Sequence, residues 1–449
     1  MCIMGENLKN TENKTVGIYT LGCKVNQYES QAIAELFEGE GFTVLPCNRE
    51  CAVYVINTCT VTAESDRKAR QFIRRAISKN PAAYILVTGC FAQRSPQAVG
   101  AIEGVDYICG SANKTSVLQA ALELMDRGKK NDSPKYAVNS LDGADFEKMN
   151  ITHFERTRAY VKIEDGCENR CAYCAIPSAR GRVRSKAPSD VICEVEKLVA
   201  GGCREIVLTG IETASYGRDL DGVTLADLLC RVDAIEGIGR VRLGSLDPSL
   251  MREDFVKRIA GLHSLAPHFH LSLQSGSDRI LAAMKRKYNS QMMLQNIESI
   301  KKYIPNVRLT TDVIVGFPGE TEEDFLCTME MAEKIRFLDI HVFTYSKRAG
   351  TVAASLPGQI PEQVKKERSA RLSARQREIK NELLFELVEG NMPVDVLFET
   401  YTDGVATGHT AAFEEFAVRC DRSLSGETHS VLPKAVENGV CIGILVKED

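Results

Sequence analysis

Two stretches of the chain repeat one rhythm, a short apolar run followed by a helix-length amphipathic segment, and few folds are open to a chain built that way. In residues 15–125 the runs are Val16-Gly17-Ile18-Tyr19, Ala52-Val53-Tyr54-Val55-Ile56 and Ala83-Tyr84-Ile85-Leu86-Val87, with helices expected through Glu29 to Gly39 and Ala63 to Lys79. This predicts a doubly wound parallel sheet whose post-strand loops gather at one edge. In residues 153–380 six runs recur, opening at Ala159, Glu205, Arg240, His268, Arg308 and Leu338, most of them separated by segments such as Ser189 to Ala200 and Ser290 to Lys302. Six parallel strands with crossover helices predict an incomplete barrel, open to cofactors at its strand C-termini. A long helix is expected from Pro361 to Glu389. Beyond it, Val394 to Glu399 and Phe416 to Arg419 with the turn pairs Asp403-Gly404 and Asn438-Gly439 predict a small β-barrel of the oligonucleotide-binding kind. The expected fold class is α/β, in three parts at 14–126, 153–382 and 383–449, with the charged, apolar-poor segment 127–152 as a linker.

Charge and hydropathy narrow the function classes. With 56 Lys and Arg against 60 Asp and Glu the formal net charge is -4, so a polyanion partner must meet local basic patches rather than a global field. No apolar run approaches the roughly 20 residues of a membrane helix, and the opening MCIMGENLKNTENKT lacks the apolar block of a secretory signal. A cytoplasmic protein with no membrane association is expected. There 16 cysteines do not form a disulfide lattice. Clustered ones bind metal or do redox chemistry, and scattered ones pack as small apolar side chains.

One cluster stands directly after the first strand of the second stretch: Asp165-Gly166-Cys167-Glu168-Asn169-Arg170-Cys171-Ala172-Tyr173-Cys174. Three thiolates spaced C-x3-C-x2-C on one loop can wrap three corners of a cubane iron-sulfur cluster and leave one iron open. A zinc site would want a fourth ligand nearby, and no His or Cys follows before Cys193. Three further cysteines, Cys23, Cys59 and Cys90, each fall at or just past the end of a predicted strand of the first stretch. Three such loops on one sheet edge can bring their thiols together, although for any one of them a buried core cysteine is an equal alternative.

The three-cysteine loop with Tyr173, placed after the first barrel strand, resembles that of the radical S-adenosylmethionine enzymes. Over nearly the whole chain the arrangement is similar to the methylthiotransferases. The resemblance continues in Ile176-Pro177, in Arg180-Gly181-Arg182-Val183-Arg184-Ser185 and in Leu273-Gln274-Ser275-Gly276-Ser277. Met284-Lys285-Arg286, the run from Asp312 to Thr321, and His341-Val342-Phe343 extend it. It implies two 4Fe-4S clusters, one on Cys167, Cys171 and Cys174, whose free iron takes the amino and carboxylate groups of S-adenosylmethionine, and one on Cys23, Cys59 and Cys90, which supplies or carries sulfur. Reductive cleavage of the sulfonium gives a 5'-deoxyadenosyl radical, needed because side-chain acid-base chemistry does not open an unactivated C–H bond. A second S-adenosylmethionine supplies the methyl group, an external electron donor is required, and the C-terminal barrel is TRAM-like. Tyr173, Thr209, Gly210, Gln274, Ser275, Asp312 and Gly316 are the expected cofactor contacts, and no catalytic side chain beyond the cluster ligands stands out.

Three branches share this architecture, acting on isopentenyladenosine in tRNA, on threonylcarbamoyladenosine in tRNA, or on an aspartate of a ribosomal protein. Gly22-Cys23-Lys24-Val25-Asn26-Gln27-Tyr28-Glu29 and His341 to Arg348 are similar to the threonylcarbamoyladenosine branch. That implies methylthiolation at C2 of N6-threonylcarbamoyladenosine, position 37, beside the anticodon, with the anticodon stem-loop as partner. The chain departs from the family pattern at Ser178, Glu212, Thr344 and Ala349, and around Gly408 to Phe413, but at no cluster ligand. A rival from another class is a non-catalytic RNA-binding protein with structural clusters.

The RNA contacts expected are Arg67 and Arg70 on the helix after Cys59, and Arg180, Arg182 and Arg184 beside the radical cluster loop. Lys365 to Lys380 line the long helix, either as a basic track or as a face paired with Glu367 and Glu378. Phe398, Tyr401, Phe413 and Phe416 are expected in the small barrel's core or stacked on bases. His268 and His270 share a strand face with no matching ligand set nearby in sequence, so packing or substrate contact is expected of them rather than metal. Cys47 and Cys51, a close pair preceding a strand, are expected to pack.

Overall fold

The computed structural model describes residues 14–153 and 157–446; most of the polar opening segment lies outside them. The chain folds into two compact units, one comprising Met1–Thr152, Glu164–Asn169 and Cys174–Lys186, the other His153–Ile163, Arg170–Tyr173 and Ala187–Asp449.

The first unit rests on strands β1 (Thr15–Thr20), β2 (Thr43–Leu45), β3 (Val53–Thr58), β4 (Tyr84–Gly89), β5 (Tyr107–Cys109) and β6 (Lys135–Ala137), all parallel in the order β2-β1-β3-β4-β5-β6. Central β3 is buried at every position, as a parallel strand covered on both faces must be. Tyr54, Ile56, Ile85 and Val87 pack there against Ala69, Ile73 and Ala76 of the helix Ala63–Lys79. That helix starts where Thr62 accepts the Ser65 N–H, satisfying one of its orphan donors. The expected linker 127–152 is instead part of this unit. It supplies β6, its Glu147 accepts both the N–H and the hydroxyl of Thr115, and Met149 and Ile151 are buried. Its polar composition reflects an edge strand and loops rather than a free segment. The chain then passes through β7 (Arg158–Lys162), a strand of the second unit, and returns for β8 (Glu164–Asp165) and β9 (Arg184–Ser185), which pair antiparallel in the first.

The second unit continues from β7 with β10 (Glu205–Thr209) and β11 (Arg240–Leu243), a parallel set in the order β11-β10-β7, and with β12 (His268–Gln274), β13 (Arg308–Val315) and β14 (Asp339–Thr344), a parallel set in that order. Leu246 joins the two sets: its N–H donates to the His270 carbonyl (2.9 Å) and its carbonyl accepts from Ser272 (3.0 Å). Six parallel strands in one series, with no pairing of β14 to β7, make the incomplete barrel the sequence predicts. The helix Glu362–Gly390 runs past the expected boundary at 382 and stops at Asn391, whose left-handed backbone caps it.

Beyond that helix β15 (Val394–Thr402), β16 (Val405–Thr410), β17 (Glu415–Arg419), β18 (Thr428–Glu437) and β19 (Val440–Leu445) close a barrel in the order β15-β16-β17-β19-β18. Phe398 and Phe416 are buried in its core with Val396, Val431 and Leu384 of the long helix, so neither is available to stack on a base. Phe413 has a different role. Its ring stacks on His268 of β12 (4.6 Å between centroids) and on His409 (4.8 Å), with the guanidinium groups of Arg158 and Arg242 over it at 5.2 and 4.8 Å. The same two arginines reach buried Glu205, and Arg158 also binds Glu399 (2.6 Å), so this ring and these ion pairs join the small barrel to the strands of the large one. Phe413 carries a φ of 81°, a cost for a bulky side chain that the ring's contacts offset. Phe413→Ala is expected to destabilise the second unit by about 2–3 kcal/mol, read as a lower thermal midpoint. An unchanged midpoint would mean the ring packs against nothing that matters.

Among the described residues no helix is long and apolar enough to cross a membrane.

Candidate metal centres

Cys23, Cys59 and Cys90 follow β1, β3 and β4, which are neighbours in the sheet, and parallel strands end on one edge. Gly22 makes their approach sterically feasible. Its φ is +108°, and a Cβ there would stand 2.9 Å from the Cys59 sulfur. Gly89, at φ +96°, comes so close to β3 that a Cβ would lie 2.4 Å from the Thr58 carbonyl oxygen. The Cys59 thiol is pushed up to about 12, first by burial and then by the neighbouring Cys90, with Cys23 contributing in the same sense. Burial likewise raises the Cys23 thiol, and three soft sulfur donors on one sheet edge suit iron-sulfur or zinc chemistry.

A buried charge network lies beside these sulfurs. Arg180 Nε donates to Cys90 Sγ (3.1 Å), Nη1 to Glu29 Oε1 (2.6 Å) and Asp165 Oδ2 (3.1 Å), and Nη2 to Asn26 Oδ1 (2.6 Å). Lys114 Nζ is 2.8 Å from Glu29, and Arg184 is 3.6 Å from Asp165. Three cations against two carboxylates leave one positive charge in excess beside the Cys90 sulfur. Burial opposes the Arg180 charge, but Asp165, Cys90 and Glu29 outweigh it and hold the guanidinium well above its ordinary pKa.

This corrects the expectation for the basic run after the radical loop. Arg180 is 0% exposed and Arg184 4%, so neither reaches an RNA backbone; alternating basic residues beside a metal loop neutralise carboxylates here instead of lining a cavity. Arg182 between them is exposed. Arg67 is exposed and paired with Glu64 (2.5 Å), and Arg70 lies over the Phe91 ring at 5.6 Å. On the long helix Lys365 and Arg368 are buried, Arg368 binds Glu320 (2.7 Å), Arg371 binds Glu322 (2.7 Å), and Arg375 binds Glu333, Glu378 and Glu382. These four, with Lys365 bound to Glu362 (2.7 Å), are paired with acid and not free for phosphate.

The C-x3-C-x2-C loop is shaped locally by two devices. Gly166, at φ +91°, comes so near the Arg182 carbonyl oxygen that a Cβ would stand 1.9 Å from it, and Cys167 N–H donates to the Gly181 carbonyl (2.9 Å). In the second unit, Cys171 Sγ accepts from Arg286 Nη1 (3.1 Å), while Ala172 N–H donates to Met284 O (2.9 Å) and Ala172 O accepts from Ala353 N–H (2.8 Å). The Met284-Lys285-Arg286 motif thus fixes the loop's central cysteine and puts a cation on it. Burial acts against the Arg286 charge, and Tyr288, Tyr173, Cys171 and Asp247 overcome it to raise the pKa. All three cysteines are partly exposed, as ligands of a reactive cluster should be.

The expected cofactor contacts gather at the C-terminal ends of the barrel strands. Thr209 ends β10 and Gly210 follows, Gln274 ends β12 with a left-handed φ of 64° and Ser275 follows, and Gly316 follows β13. Tyr173 packs beside Ala172, Met284, Phe317 and Tyr345. The Ser275 hydroxyl accepts the Ser277 N–H (3.2 Å), and the Gly316 N–H donates to Glu320 (2.7 Å). Asp312 lies three residues back along β13, between two imidazoles. His341 Nδ1 is 3.1 Å from its Oδ1 and His270 Nε2 is 3.3 Å from its Oδ2. This His-Asp-His group has no counterpart in the sequence reading, which looked for partners of His270 nearby in the chain rather than on adjacent strands. Asn26, Glu29 and Lys114 were missed as well. Asn26 and Glu29 stand three apart on the helix Lys24–Gly39, and both are buried.

Residues 161–332 match the radical SAM superfamily and residues 15–110 match the family described as Uncharacterized protein family UPF0004. The chain is 39% identical over 419 residues, 92% of each chain, to the threonylcarbamoyladenosine tRNA methylthiotransferase MtaB of Bacillus subtilis. It is 38% identical over 431 residues, 95% of this chain and 96% of the other, to the enzyme of the same name from Thermotoga maritima. It is 37% identical, over 92% of this chain and 94% of the other, to the tRNA-2-methylthio-N(6)-dimethylallyladenosine synthase of Moorella thermoacetica. Among solved structures, the radical S-adenosylmethionine methyltransferase TsrM of Kitasatospora setae aligns with a TM-score of 0.55 at 15% identity, covering 76% of this chain and 74% of that one, a likeness of fold alone. With S-adenosylmethionine and a 4Fe-4S cluster implied by the superfamily, the chain belongs to the radical S-adenosylmethionine methylthiotransferases and is MtaB-like.

Proposed function

We propose that this protein methylthiolates C2 of N6-threonylcarbamoyladenosine at position 37 of tRNA, in the cytoplasm, using two 4Fe-4S clusters and an external electron donor. The observation that carries this reading is the meeting of Cys23, Cys59 and Cys90 at one sheet edge, in a chain that also holds the radical loop of Cys167, Cys171 and Cys174. A 4Fe-4S cluster held by Cys167, Cys171 and Cys174 would supply the electron that cleaves S-adenosylmethionine and so the hydrogen-abstracting radical. Arg286 donates to the Cys171 sulfur and Arg180 to the Cys90 sulfur, each placing a positive charge beside a proposed ligand. Tyr173, Thr209, Gly210, Gln274, Ser275 and Gly316 hold S-adenosylmethionine at the strand ends, where the barrel opens. The threonylcarbamoyl substrate is favoured over dimethylallyladenosine by the Gly22-to-Glu29 motif and by the two relatives that carry that name.

Nucleosides from tRNA of a deletion strain test the reading. Loss of the methylthio group from threonylcarbamoyladenosine alone is expected. Loss from dimethylallyladenosine would move the protein to that branch, and intact tRNA with an unmodified ribosomal-protein aspartate would move it to the third. For the anticodon stem-loop, exposed Arg182 together with Arg67 and Arg70 forms the proposed contact set. Arg182→Ala is expected to weaken stem-loop binding roughly two- to tenfold and to flatten its salt dependence, whereas an unchanged salt slope would remove Arg182 from the set.

A further inference from the structure

Positions 268 and 270 of β12, 310 and 312 of β13, and 339 and 341 of β14 alternate onto one face of the sheet. His270 is the register partner of Thr310 on β13, and Asp312 that of His341 on β14. The ligand-type atoms of His270, Asp312 and His341 therefore come within 4.8 Å of one another. The set is graded in exposure, with His270 buried at 8%, Asp312 intermediate and His341 exposed, so one side opens outward.

His270 shows how the set is poised. Its Nδ1 is held at 3.0 Å by the Thr310 hydroxyl, which also holds His268 Nε2 at 3.0 Å. That fixes the ring and turns Nε2 toward Asp312. Yet Nε2, fully buried, makes no well-aligned hydrogen bond among the described residues, although Asp312 Oδ2 is 3.3 Å away. A buried ring nitrogen so placed is left poorly satisfied. A cation between His270 Nε2, Asp312 and His341 would satisfy it. Two imidazoles and one carboxylate on one side, with the remaining positions open, form the donor set that zinc, iron(II), cobalt or manganese takes, and Thr310 is the outer partner that orients the first ligand.

We propose that His270, Asp312 and His341 form a divalent-cation site in the barrel, separate from the cysteine clusters, with vacant positions for water or an oxygen ligand of the substrate. The site does not rest on the methylthiolation reading. It is tested on the anaerobically reconstituted full-length protein with zinc as probe, added in small excess and removed by desalting, with zinc and iron counted together. About one retained zinc per chain is expected with iron content unchanged. His270→Ala and Asp312→Asn should each lose that zinc, and Thr310→Val should weaken it about 10–100-fold in chelator competition. Should the inner variants fail to fold, His341→Ala at its exposed position gives the same reading. Zinc absent from the wild type, zinc retained equally by all variants, or zinc entering at the expense of iron would each overturn the proposal, and the group would then be a hydrogen-bonded His-Asp-His relay.

Discussion

Replacing Arg180 with methionine is expected to cost the first unit about 3–5 kcal/mol, the range for removing one partner of a buried ion pair. The side chain is fully buried and its guanidinium binds Glu29, Asp165, Asn26 and the Cys90 sulfur at once. Methionine fills a similar volume but leaves two carboxylates in the interior, with only Lys114 and Arg184 to answer them. Thermal unfolding read by a probe in the first unit should show the loss as a fall of roughly 6–15 °C. Adding Glu29→Gln and Asp165→Asn should deepen the loss rather than recover it, because Lys114 and Arg184 would then lie buried without their carboxylates. A fall below about 1 kcal/mol would mean that the guanidinium faces water and serves as an RNA contact after all.

The second large effect separates the two cysteine sets by what each is for. Cys171→Ala is expected to reduce S-adenosylmethionine cleavage by more than about a thousandfold, since the bound group supplies the rate enhancement and no side chain nearby can replace it. Cys59→Ala should leave that cleavage within about threefold of wild type and abolish methylthio transfer to the nucleoside. The first set lies on loops after three strands of the first sheet and the second on the loop after β8, and Arg180 downstream of that loop donates to Cys90, so each variant is also checked for an intact fold. Cleavage of S-adenosylmethionine in both variants is read by release of 5'-deoxyadenosine, and transfer by nucleoside analysis. Loss of both activities in Cys59→Ala, with the fold intact, would mean the first set serves radical generation too.

The two parallel architectures were readable because period and length decide them. β3 is buried along its whole length and opens on the apolar run Val53-Tyr54-Val55-Ile56, and the helix Glu362–Gly390 is a long stretch without Pro and without Gly before its last residue. The placement of Cys23, Cys59 and Cys90 was readable because chain order alone puts them after strands that turn out to be neighbours. Segment 127–152 was not, since a three-residue edge strand leaves no periodicity and its polarity is that of a loop. Charge was the least legible property. Arg180, Arg184, Lys114, Lys365 and Arg368 look like surface in the sequence and are buried in the fold. What decides this is an acidic partner contributed from elsewhere in the chain, Glu29 for Arg180 and Glu320 for Arg368. The His270-Asp312-His341 group failed to show for the same reason, its members being adjacent across strands and 29 or more residues apart along the chain.

The count of iron and sulfide in anaerobically reconstituted protein tests the central claim most directly, when wild type is set beside two triple variants. Two cubanes predict about eight irons per chain in the wild type. Changing Cys167, Cys171 and Cys174 to alanine, or Cys23, Cys59 and Cys90 to alanine, should each bring the count to about four, with the spectrum of the other cluster preserved. A wild-type count near four, or a triple variant that keeps the full complement, would contradict two separate three-cysteine sites.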